Sequence, residues 1–251
     1  MKNAIGIDIG GTGIKGALVN LKKGELATDR IRFDTPDGGK PESVVETVIK
    51  LVKQIDAPKD TPIGICFPAP VKNGVTLSAA NVSDEWIGLK AAKLFSKALG
   101  SEVVLLNDAD AAGIAEIKFG AGQDRKGLVL MCTLGTGIGT ALFMNGKLIP
   151  NTELGHIEID GVDYETKAAY SAKERDNLSF EQWAVVLSKY FNRLNRLFYP
   201  DLIIIGGGVS KDHGSFVHMI ESDVEIVAAK SKNNAGIIGA AFFAAKHYSK
   251  E

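Results

Sequence analysis

Apolar residues recur along the chain in two patterns, one typical of buried strands and the other of amphipathic helices. Short apolar runs bounded by glycine, asparagine or charged residues predict strands. These runs cover residues 3–9, 14–20, 25–33, 63–67, 103–107, 127–133, 138–144 and 202–206. Segments with helical periodicity lie between them, so the order of elements predicts an α/β fold.

The helical segments carry recognisable start and stop signals. Pro41 favours the start of the first helix, and Gly100 favours the end of the second. Ser179 and Gln182 form a predicted capping box ahead of the third. The predicted apolar faces cover residues 44–55, 89–99, 183–197 and 237–247.

Two glycine-rich turns follow strands, one in each half of the chain. The first is Gly10-Gly11-Thr12 and the second lies within residues 133–139, TLGTGIG. We predict hairpins whose turns need positive φ or close backbone approach, both of which glycine permits. Bare N–H groups in such a turn, with the Thr12 hydroxyl and the Lys15 cation, suit a phosphate, and Asp8 can hold its Mg²⁺ through water. An ordinary hairpin turn is the simpler interpretation of either segment alone, whereas the repetition indicates a duplicated unit with one phosphate-binding turn in each lobe.

A carboxylate stands where an apolar strand meets a helix rich in small residues. Asp108 follows Asn107 at this junction. It either caps the helix or acts as a general base that accepts a hydroxyl proton while Asn107 orients the alcohol. Asp110, two residues further on, is the better candidate for a purely structural cap.

Two more segments suggest ligand contacts. Glu153 and His156 lie three residues apart and can both hydrogen-bond to a polyol, although a single histidine is often structural. An apolar strand ends in Gly206-Gly207-Gly208, which predicts a backbone that passes close to a nucleotide base and ribose. A strand-to-helix turn is the alternative there.

Composition excludes several classes of protein. The chain has 251 residues, 45% of them hydrophobic and 24% charged, with a net charge of −1, so no global positive field attracts nucleic acid or anionic membranes. Its two cysteines, Cys66 and Cys132, lie far apart within apolar runs and are predicted to be buried free thiols. The first residues lack a signal-peptide pattern and no apolar stretch reaches the ~18 residues of a membrane span, so we expect a cytoplasmic location.

In this order the motifs resemble the ROK family of sugar kinases and repressors, within the actin/hexokinase/Hsp70 fold superfamily. The matching segments are D-I-G-G-T at 8–12, N-D-A at 107–109, L-G-T-G-I-G at 134–139, E-L-G-H at 153–156 and G-G-G-V at 206–209. The resemblance implies a two-lobed, actin-like (ribonuclease H-like) fold, with two related α/β domains around a cleft. We expect one lobe to comprise residues 1–110 completed by a helix at 236–251, and the other to comprise residues 111–235.

Residues 157–175 depart from the family pattern. ROK glucokinases and repressors usually carry a cysteine-rich zinc motif here, with a histidine as the remaining ligand, whereas this segment contains no cysteine. A Cys₃His zinc site is therefore excluded in this segment, and we expect no zinc. In this respect, and in residues 35–44, 77–88 and 233–241, the chain is most similar to the polyphosphate glucokinase branch.

That resemblance implies transfer of a terminal phosphoryl group from polyphosphate, ATP or both to the 6-hydroxyl of glucose. It assigns Asp108 as the base, Asp8 to Mg²⁺ through water, and Gly207 and Gly208 to the adenosine of a nucleotide. The implied sugar ligands are Asn81, Asn107, Asp108, Glu153, His156 and Glu165, with Glu158 as an alternative to Glu165. The implied phosphate ligands are Gly10, Gly11, Thr12, Lys15, Thr133, Gly135, Thr136 and Gly137.

Other functions fit the sequence less well. A repressor of the family would need a helix-turn-helix ahead of the first strand, and a filament-forming ATPase would not need the E-L-G-H and N-D-A motifs. A strictly ATP-dependent hexokinase acting on glucose or mannose stays an alternative, because polyphosphate requires a track of cations. The candidates for that track are Lys15, Lys72, Lys90, Lys93, Lys230 and Lys232, with scattered surface lysines as the default explanation.

The resemblance also implies a homodimer. One helix, predicted over residues 179–198, carries an aromatic face that offers contact area for a second subunit or packs into the core. Its members are Trp183, Tyr190, Phe191 and Phe198.

Overall fold

A computed structural model describes residues 1–249 and has a strand at every predicted apolar run. The strands of the N-terminal half are β1 (Asn3–Ile9), β2 (Gly13–Asn20), β3 (Glu25–Leu26), β4 (Ile31–Asp34), β5 (Ile63–Phe67), β6 (Val71–Lys72), β7 (Val75–Thr76) and β8 (Val103–Asn107). Those that follow are β9 (Leu128–Leu134), β10 (Ile138–Met144), β11 (Lys147–Ile149), β12 (Glu158–Ile159), β13 (Val162–Asp163), β14 (Leu202–Gly206) and β15 (Ile226–Ala228).

The helices agree with the predicted segments and add three that the apolar pattern did not delimit. They are α1 (Pro41–Ile55), α2 (Ala91–Leu99), α3 (Asp108–Phe119), α4 (Glu165–Ala168), α5 (Tyr170–Arg175), α6 (Phe180–Phe198) and α7 (Ala235–Tyr248). The capping box of Ser179 and Gln182 is present at the start of α6, and Gly100 ends α2 in the left-handed conformation. Residues 250 and 251 of the helix predicted at 236–251 lie outside the described residues.

The chain folds as two units. Unit 1 comprises residues 1–115 and the chain from Asn234 onward, and unit 2 comprises Glu116–Asn233. The sheet of unit 1 has the order β3-β2-β1-β5-β8, with β4 also paired to β2, and the sheet of unit 2 has the order β11-β10-β9-β14-β15. In each, the third strand in that order, β1 or β9, pairs antiparallel with the second and parallel with the fourth. The two sheets therefore share one topology, as the predicted duplication requires.

The predicted strand at 25–33 was wrong as a single element. Leu18 of β2 donates its amide to the Thr28 hydroxyl at 3.1 Å, where an uninterrupted ladder would offer a backbone carbonyl. The edge therefore breaks into β3, which pairs with residues 19 and 20 of β2, and β4, which pairs with residues 13–16.

Short hairpins that the apolar pattern missed are built on two-residue turns. Asn73-Gly74 joins β6 to β7, Asn145-Gly146 joins β10 to β11, and Asp160-Gly161 joins β12 to β13. All of these turn residues have positive φ, which is the geometry that matches the right-handed twist of paired strands.

Each unit has its own apolar core. In unit 1 the indole of Trp86 packs between Phe67 and Phe95. In unit 2 the aromatic residues Trp183, Tyr190 and Phe191 of α6 are fully buried, and Phe198 packs partly buried against the same cluster. The aromatic face of α6 thus packs into the core, which is one of the two alternatives that the sequence left open. Cys66 and Cys132 are buried free thiols, as predicted.

Within residues 1–249 no helix is both long and apolar enough to cross a membrane.

The side chain of Glu116 joins segments that are distant in sequence. It is fully buried; its Oε1 accepts from the amide of Ser231 at 2.7 Å, and its Oε2 accepts from the amide of Ala121 at 2.8 Å. The Lys230 amide lies 3.0 Å from both oxygens. The buried carboxylate thereby accepts from three backbone donors of two segments and satisfies its own acceptor atoms.

We expect Glu116→Gln to lower the free energy of unfolding by about 3 kcal/mol, because the new amide group would face backbone donors and leave at least one unsatisfied. Urea unfolding followed by tryptophan fluorescence measures this change. The matched control is Glu25→Gln at an exposed carboxylate of β3. Equal midpoints for the two variants would contradict this role for Glu116.

Candidate active site

The candidate acidic residues of unit 1 lie at the carboxyl ends of the parallel strands β1 and β8, which flank β5 in the sheet. Asp8 of β1 is in register with Cys66 of β5, and Asn107 ends β8 opposite Phe67. Ligand sites of open α/β sheets form at this edge. Asp108 follows as the first residue of α3, so the fold brings Asp8, Asn107 and Asp108 to one end of the sheet.

Asp8 is held by neighbours on both sides. Its Oδ1 accepts from the Cys66 thiol at 3.5 Å, and its Oδ2 lies 3.8 Å from Lys15 Nζ. Burial raises the pKa of the Asp8 carboxyl, while the charge of Lys15, the Cys66 hydrogen bond and the charge of Arg30 lower it. Burial also raises the pKa of the Cys66 thiol well above its ordinary value, with the charges of Asp8 and Asp108 adding to the effect, so the thiol stays protonated and acts as the donor.

The first glycine loop is tied together through its carbonyl groups. Gly10 O accepts from the Thr35 hydroxyl at 2.5 Å, and Thr12 O accepts from Arg32 Nη2 at 3.1 Å. The Gly10 amide donates to Gly13 O at 3.0 Å, whereas within residues 1–249 the amides of Gly11 and Thr12 donate to no backbone acceptor. The loop therefore keeps donors for an anion.

Neither Gly10 nor Gly11 has positive φ, so backbone conformation does not require glycine at either position. Position 11 requires glycine because another segment of the chain lies too close for a side chain. A Cβ on Gly11 would lie 2.7 Å from Asn81 Cβ and 3.0 Å from Asn81 O. Asn81, predicted as a sugar ligand, thus packs directly against the first glycine loop and has a left-handed backbone with φ of 61°.

Asn107, rather than Asp110, caps helix α3. Its Oδ1 accepts from the amides of Ala109 at 2.8 Å and Asp110 at 3.1 Å, so the choice of Asp110 as the structural cap was wrong. The reason is geometric, because the residue that precedes the first helical turn has its side chain beside the unpaired amides. Capping uses the amide oxygen of Asn107 and leaves its Nδ2 donor for a ligand.

The second glycine loop, residues 135–137, repeats this arrangement in unit 2. The Gly135 amide donates to Gly137 O at 3.0 Å, and Ser171 donates its amide to Gly135 O at 3.1 Å and its hydroxyl to Thr136 O at 2.5 Å. Among the described residues the amides of Thr136 and Gly137 donate to no backbone acceptor. As in the first loop, carbonyl groups of this loop accept hydrogen bonds, while its central amides have no backbone acceptor among the described residues. Thr133 lies in β9 and donates its hydroxyl to Gly139 O at 3.3 Å, inside the hairpin.

The E-L-G-H segment lies against the same hairpin. Leu154 donates its amide to Thr140 Oγ1 at 3.0 Å, and a Cβ on Gly155 would collide with the carbonyl of Ile138. Glu165 accepts from the Ile138 amide at 2.6 Å, which sets its carboxylate beside the second glycine loop. The fold of unit 2 thus brings Glu153, His156 and Glu165 together.

Glu158 differs from Glu165 in its surroundings. It is exposed on β12, in register with Asp163. The hydrogen bond from Ile138 to Glu165 favours Glu165 over Glu158 as the carboxylate beside the loop.

His156 and Glu153 influence each other electrostatically. A hydrogen bond to Asp163 is the largest cause that raises the pKa of His156; burial opposes it, and the charges of Glu165, Asp163 and Glu153 support it. Glu153 is exposed as a residue, yet partial burial of its carboxylate raises its pKa, with His156 opposing and Glu165 adding to that rise.

The three glycines after β14 differ in the space around them. Gly207 has φ of 85°, and a Cβ there would collide with the backbone of Leu134. These two features of unit 2 require glycine at position 207 without any bound ligand. Gly208 has open space within 4 Å of a hypothetical Cβ and is exposed. Gly208 is therefore the position that a ligand can approach.

The candidate lysines are exposed except Lys15, which pairs with Asp8. Lys72 lies on β6, and Lys90 and Lys93 lie at the start of α2; Gly74 O accepts from the Ala92 amide at 3.0 Å, which joins these two elements. Lys230 and Lys232 belong to unit 2.

Several residues that build the site were missed in the sequence. Thr35, Arg32 and Ser171 hold the loops through long-range bonds that no local pattern signals. The position of Asp163 could have been predicted locally, because Asp160-Gly161 predicts a tight hairpin in which the residues before the turn pair with those after it. Within residues 1–249 no group of three or more His, Cys, Asp or Glu side chains is arranged to hold a metal ion.

Comparison with known proteins identifies the family of this chain. The ROK family model matches residues 4–169. A polyphosphate glucokinase of Mycobacterium leprae is 44% identical over 94% of this chain and 72% of its own length, and one from Mycobacterium tuberculosis is 42% identical over 96% and 90%.

Two solved structures share the fold. The crystal structure of the inorganic polyphosphate/ATP-glucomannokinase from Arthrobacter sp. strain KM matches with a TM-score of 0.93 at 47% identity, over 98% of this chain and all of that one. A ROK family glucokinase from Streptomyces griseus, in complex with glucose and AMPPNP, matches with a TM-score of 0.82 at 25% identity, over 97% and 99%. The fold is the actin-like fold of ROK sugar kinases. The chain belongs to the ROK family.

Proposed function

We propose that this chain is a glucokinase that transfers a terminal phosphoryl group from inorganic polyphosphate or ATP to the 6-hydroxyl of glucose. The observation that carries the proposal is a pair of glycine loops in a chain 42–44% identical to polyphosphate glucokinases. Each loop is held by hydrogen bonds to its carbonyl groups, and among the described residues its central amides donate to no backbone acceptor. Phosphoryl transfer depends chiefly on positioning and charge neutralisation, which such loops provide.

In this proposal Asp108 is the general base. Its carboxylate takes the proton of the glucose 6-hydroxyl as that oxygen bonds to the terminal phosphorus, and the bond from phosphorus to the leaving phosphate breaks. The Nδ2 group of Asn107 donates to the sugar. The remaining sugar ligands are Asn81, Glu153, His156 and Glu165, whose carboxylate, amide and imidazole groups suit a ring of hydroxyls.

The phosphates of the donor are bound by the two loops. Their proposed ligands are Gly10, Gly11, Thr12, Lys15, Thr133, Gly135, Thr136 and Gly137. The amides of Gly11, Thr12, Thr136 and Gly137 contribute most, because the Thr133 hydroxyl is engaged within its hairpin. Gly207 and Gly208 would accept the adenosine when the donor is ATP, with Gly208 offering the open approach.

Asp8 fits Mg²⁺ bound through water. Mg²⁺ usually keeps several of its waters and is bound by one or two carboxylates together with substrate phosphates, so the Asp8 carboxylate would hold it through water without a preformed group of three acidic side chains. When bound, Mg²⁺ neutralises phosphate charge. Cys66 and Lys15 keep the Asp8 carboxylate oriented in the meantime.

Further parts of the proposal concern acceptor, assembly and location. The Arthrobacter relative is named a glucomannokinase, which supports mannose as a second acceptor. We also propose a homodimer in the cytoplasm, on the resemblance alone. Sedimentation equilibrium of the purified protein measures the oligomeric state.

We expect a coupled assay for glucose 6-phosphate to show turnover with long-chain polyphosphate and with ATP compared side by side. Exposed lysines such as Lys72, Lys90 and Lys93 supply cations for the longer donor. Mannose in place of glucose tests the second acceptor. Turnover with ATP alone would establish the strictly ATP-dependent hexokinase, and no turnover with either donor on any hexose would overturn the kinase proposal.

A further inference from the structure

The carboxylate of Asp163 lies between two of the proposed sugar ligands and contacts both. Its Oδ2 is 2.9 Å from Nδ1 of His156, and its Oδ1 accepts from the amide of Glu165 at 3.1 Å. Both oxygens of one side chain are thus used, one for each ligand.

The bond to His156 fixes which ring nitrogen carries a proton. An ionised carboxylate only accepts hydrogen bonds, so Nδ1 of His156 is the donor and Nε2 is the nitrogen left for another partner. The side chain of His156 is 54% exposed, which leaves the ring accessible to a ligand.

The second oxygen fixes the start of helix α4. Glu165 is the first residue of that helix, and its own carboxylate accepts from the Ile138 amide at 2.6 Å. The Thr166 hydroxyl donates to Asp163 O at 2.6 Å, so the backbone of Asp163 is bound by the same helix that its side chain binds. A continuous set of hydrogen bonds therefore runs from the second glycine loop through Glu165 and Asp163 to His156.

We infer that Asp163 is a positioning residue for sugar binding: it holds the ring of His156 in one orientation and tautomer while it anchors the helix that carries Glu165. This inference rests on the proposed function, because it takes His156 and Glu165 as sugar ligands. The charged groups that face His156 are Asp163 from β13, Glu165 from α4 and Glu153 from the segment before it. Asp163 is the one bonded to the ring, so its removal lowers the pKa of His156.

The test uses the full chain with Asp163→Asn and Asp163→Ala. Asparagine keeps a carbonyl oxygen for the Glu165 amide but removes the charge beside His156, whereas alanine removes both contacts. The matched control is Asp160→Asn, on the same hairpin, whose carboxylate pairs with Lys189. Glucose affinity is measured by calorimetry, kcat and KM by the coupled assay, and the titration of His156 by NMR, with His213, His218 and His247 as internal references.

We expect Asp163→Asn to shift the His156 titration to lower pH and to weaken glucose binding about tenfold, the size of a lost charge-assisted hydrogen bond, with a smaller change in kcat. Asp163→Ala should weaken binding further, and Asp160→Asn should leave both readouts unchanged. An unchanged His156 titration or unchanged glucose affinity in Asp163→Asn would overturn the inference.

One measurement needs no variant. Nitrogen chemical shifts of neutral His156 in the unsubstituted protein should report a proton on Nδ1, and a proton on Nε2 instead would overturn the inference even if the variants fail to fold. If the unsubstituted protein phosphorylates no hexose, the proposed function fails, and the two outcomes are distinguished because the His156 titration does not depend on turnover.

Discussion

Asp108→Asn should reduce kcat by about 10²–10⁴-fold while glucose affinity stays close to that of the unsubstituted protein. The carboxamide has nearly the same shape and can still hydrogen-bond to a hydroxyl, but it cannot accept the proton of the attacking 6-hydroxyl. Because Asp108 is the first residue of α3, its backbone is fixed by the helix and the substitution leaves the local fold in place. The coupled assay measures kcat, and calorimetry measures the dissociation constant of glucose.

Asp110→Asn is the position-matched control for this prediction. Asp110 lies on the same helical turn and is 1% exposed, so its loss should lower the unfolding midpoint and preserve kcat. A wild-type kcat in Asp108→Asn would show that Asp108 is not the general base. Equal loss of kcat in both variants would assign the effect to damage at the start of α3.

Gly11→Ala should lower kcat/KM for both donors by about 10²-fold, with the KM for glucose less affected. A Cβ would lie 2.7 Å from Asn81 Cβ, so either the loop or the Asn81 segment must move by several tenths of an ångström or more. A shift of this size in the loop amides would misalign the terminal phosphate with the attacking hydroxyl and slow the reaction. Initial rates with varied polyphosphate and varied ATP measure the change.

The matched control for that substitution is Gly214→Ala, a glycine that also lacks positive φ and whose Cβ would meet open space within 4 Å. It should leave both KM values and kcat unchanged. Near-normal kinetics in Gly11→Ala would contradict the binding of donor phosphate by the first loop.

The sequence predicts those parts of the fold that depend on near neighbours. Short apolar runs identified the strands, and the capping box of Ser179 and Gln182 located the start of α6 within one residue. The short hairpins at Asn73-Gly74, Asn145-Gly146 and Asp160-Gly161 were missed, although their turn dipeptides are visible in the sequence, because their strands have only two or three residues on at least one side.

Parts that depend on distant residues could not be predicted. The bond between Leu18 and Thr28 breaks an edge strand, and Glu116 meets residues more than 100 positions away. In the candidate site, motif order identified the loops and Asn107-Asp108. It did not indicate that Asn107 is the helix cap or that Asp163 contacts both His156 and Glu165, because these roles depend on side-chain orientation.

Helix α7 completes unit 1 with residues that follow unit 2 in the sequence. Its side chains Ile237, Ala240 and Ala244 are fully buried in a unit whose sheet is made entirely from the first 107 residues. Unit 2 lies between these two parts of the chain and has all of its strands and its core before α7 is synthesised. During translation one apolar face of the unit 1 sheet therefore stays uncovered until α7 is synthesised. A truncation before Ala235 would leave that face exposed and prone to aggregation, whereas unit 2 would keep its complete core.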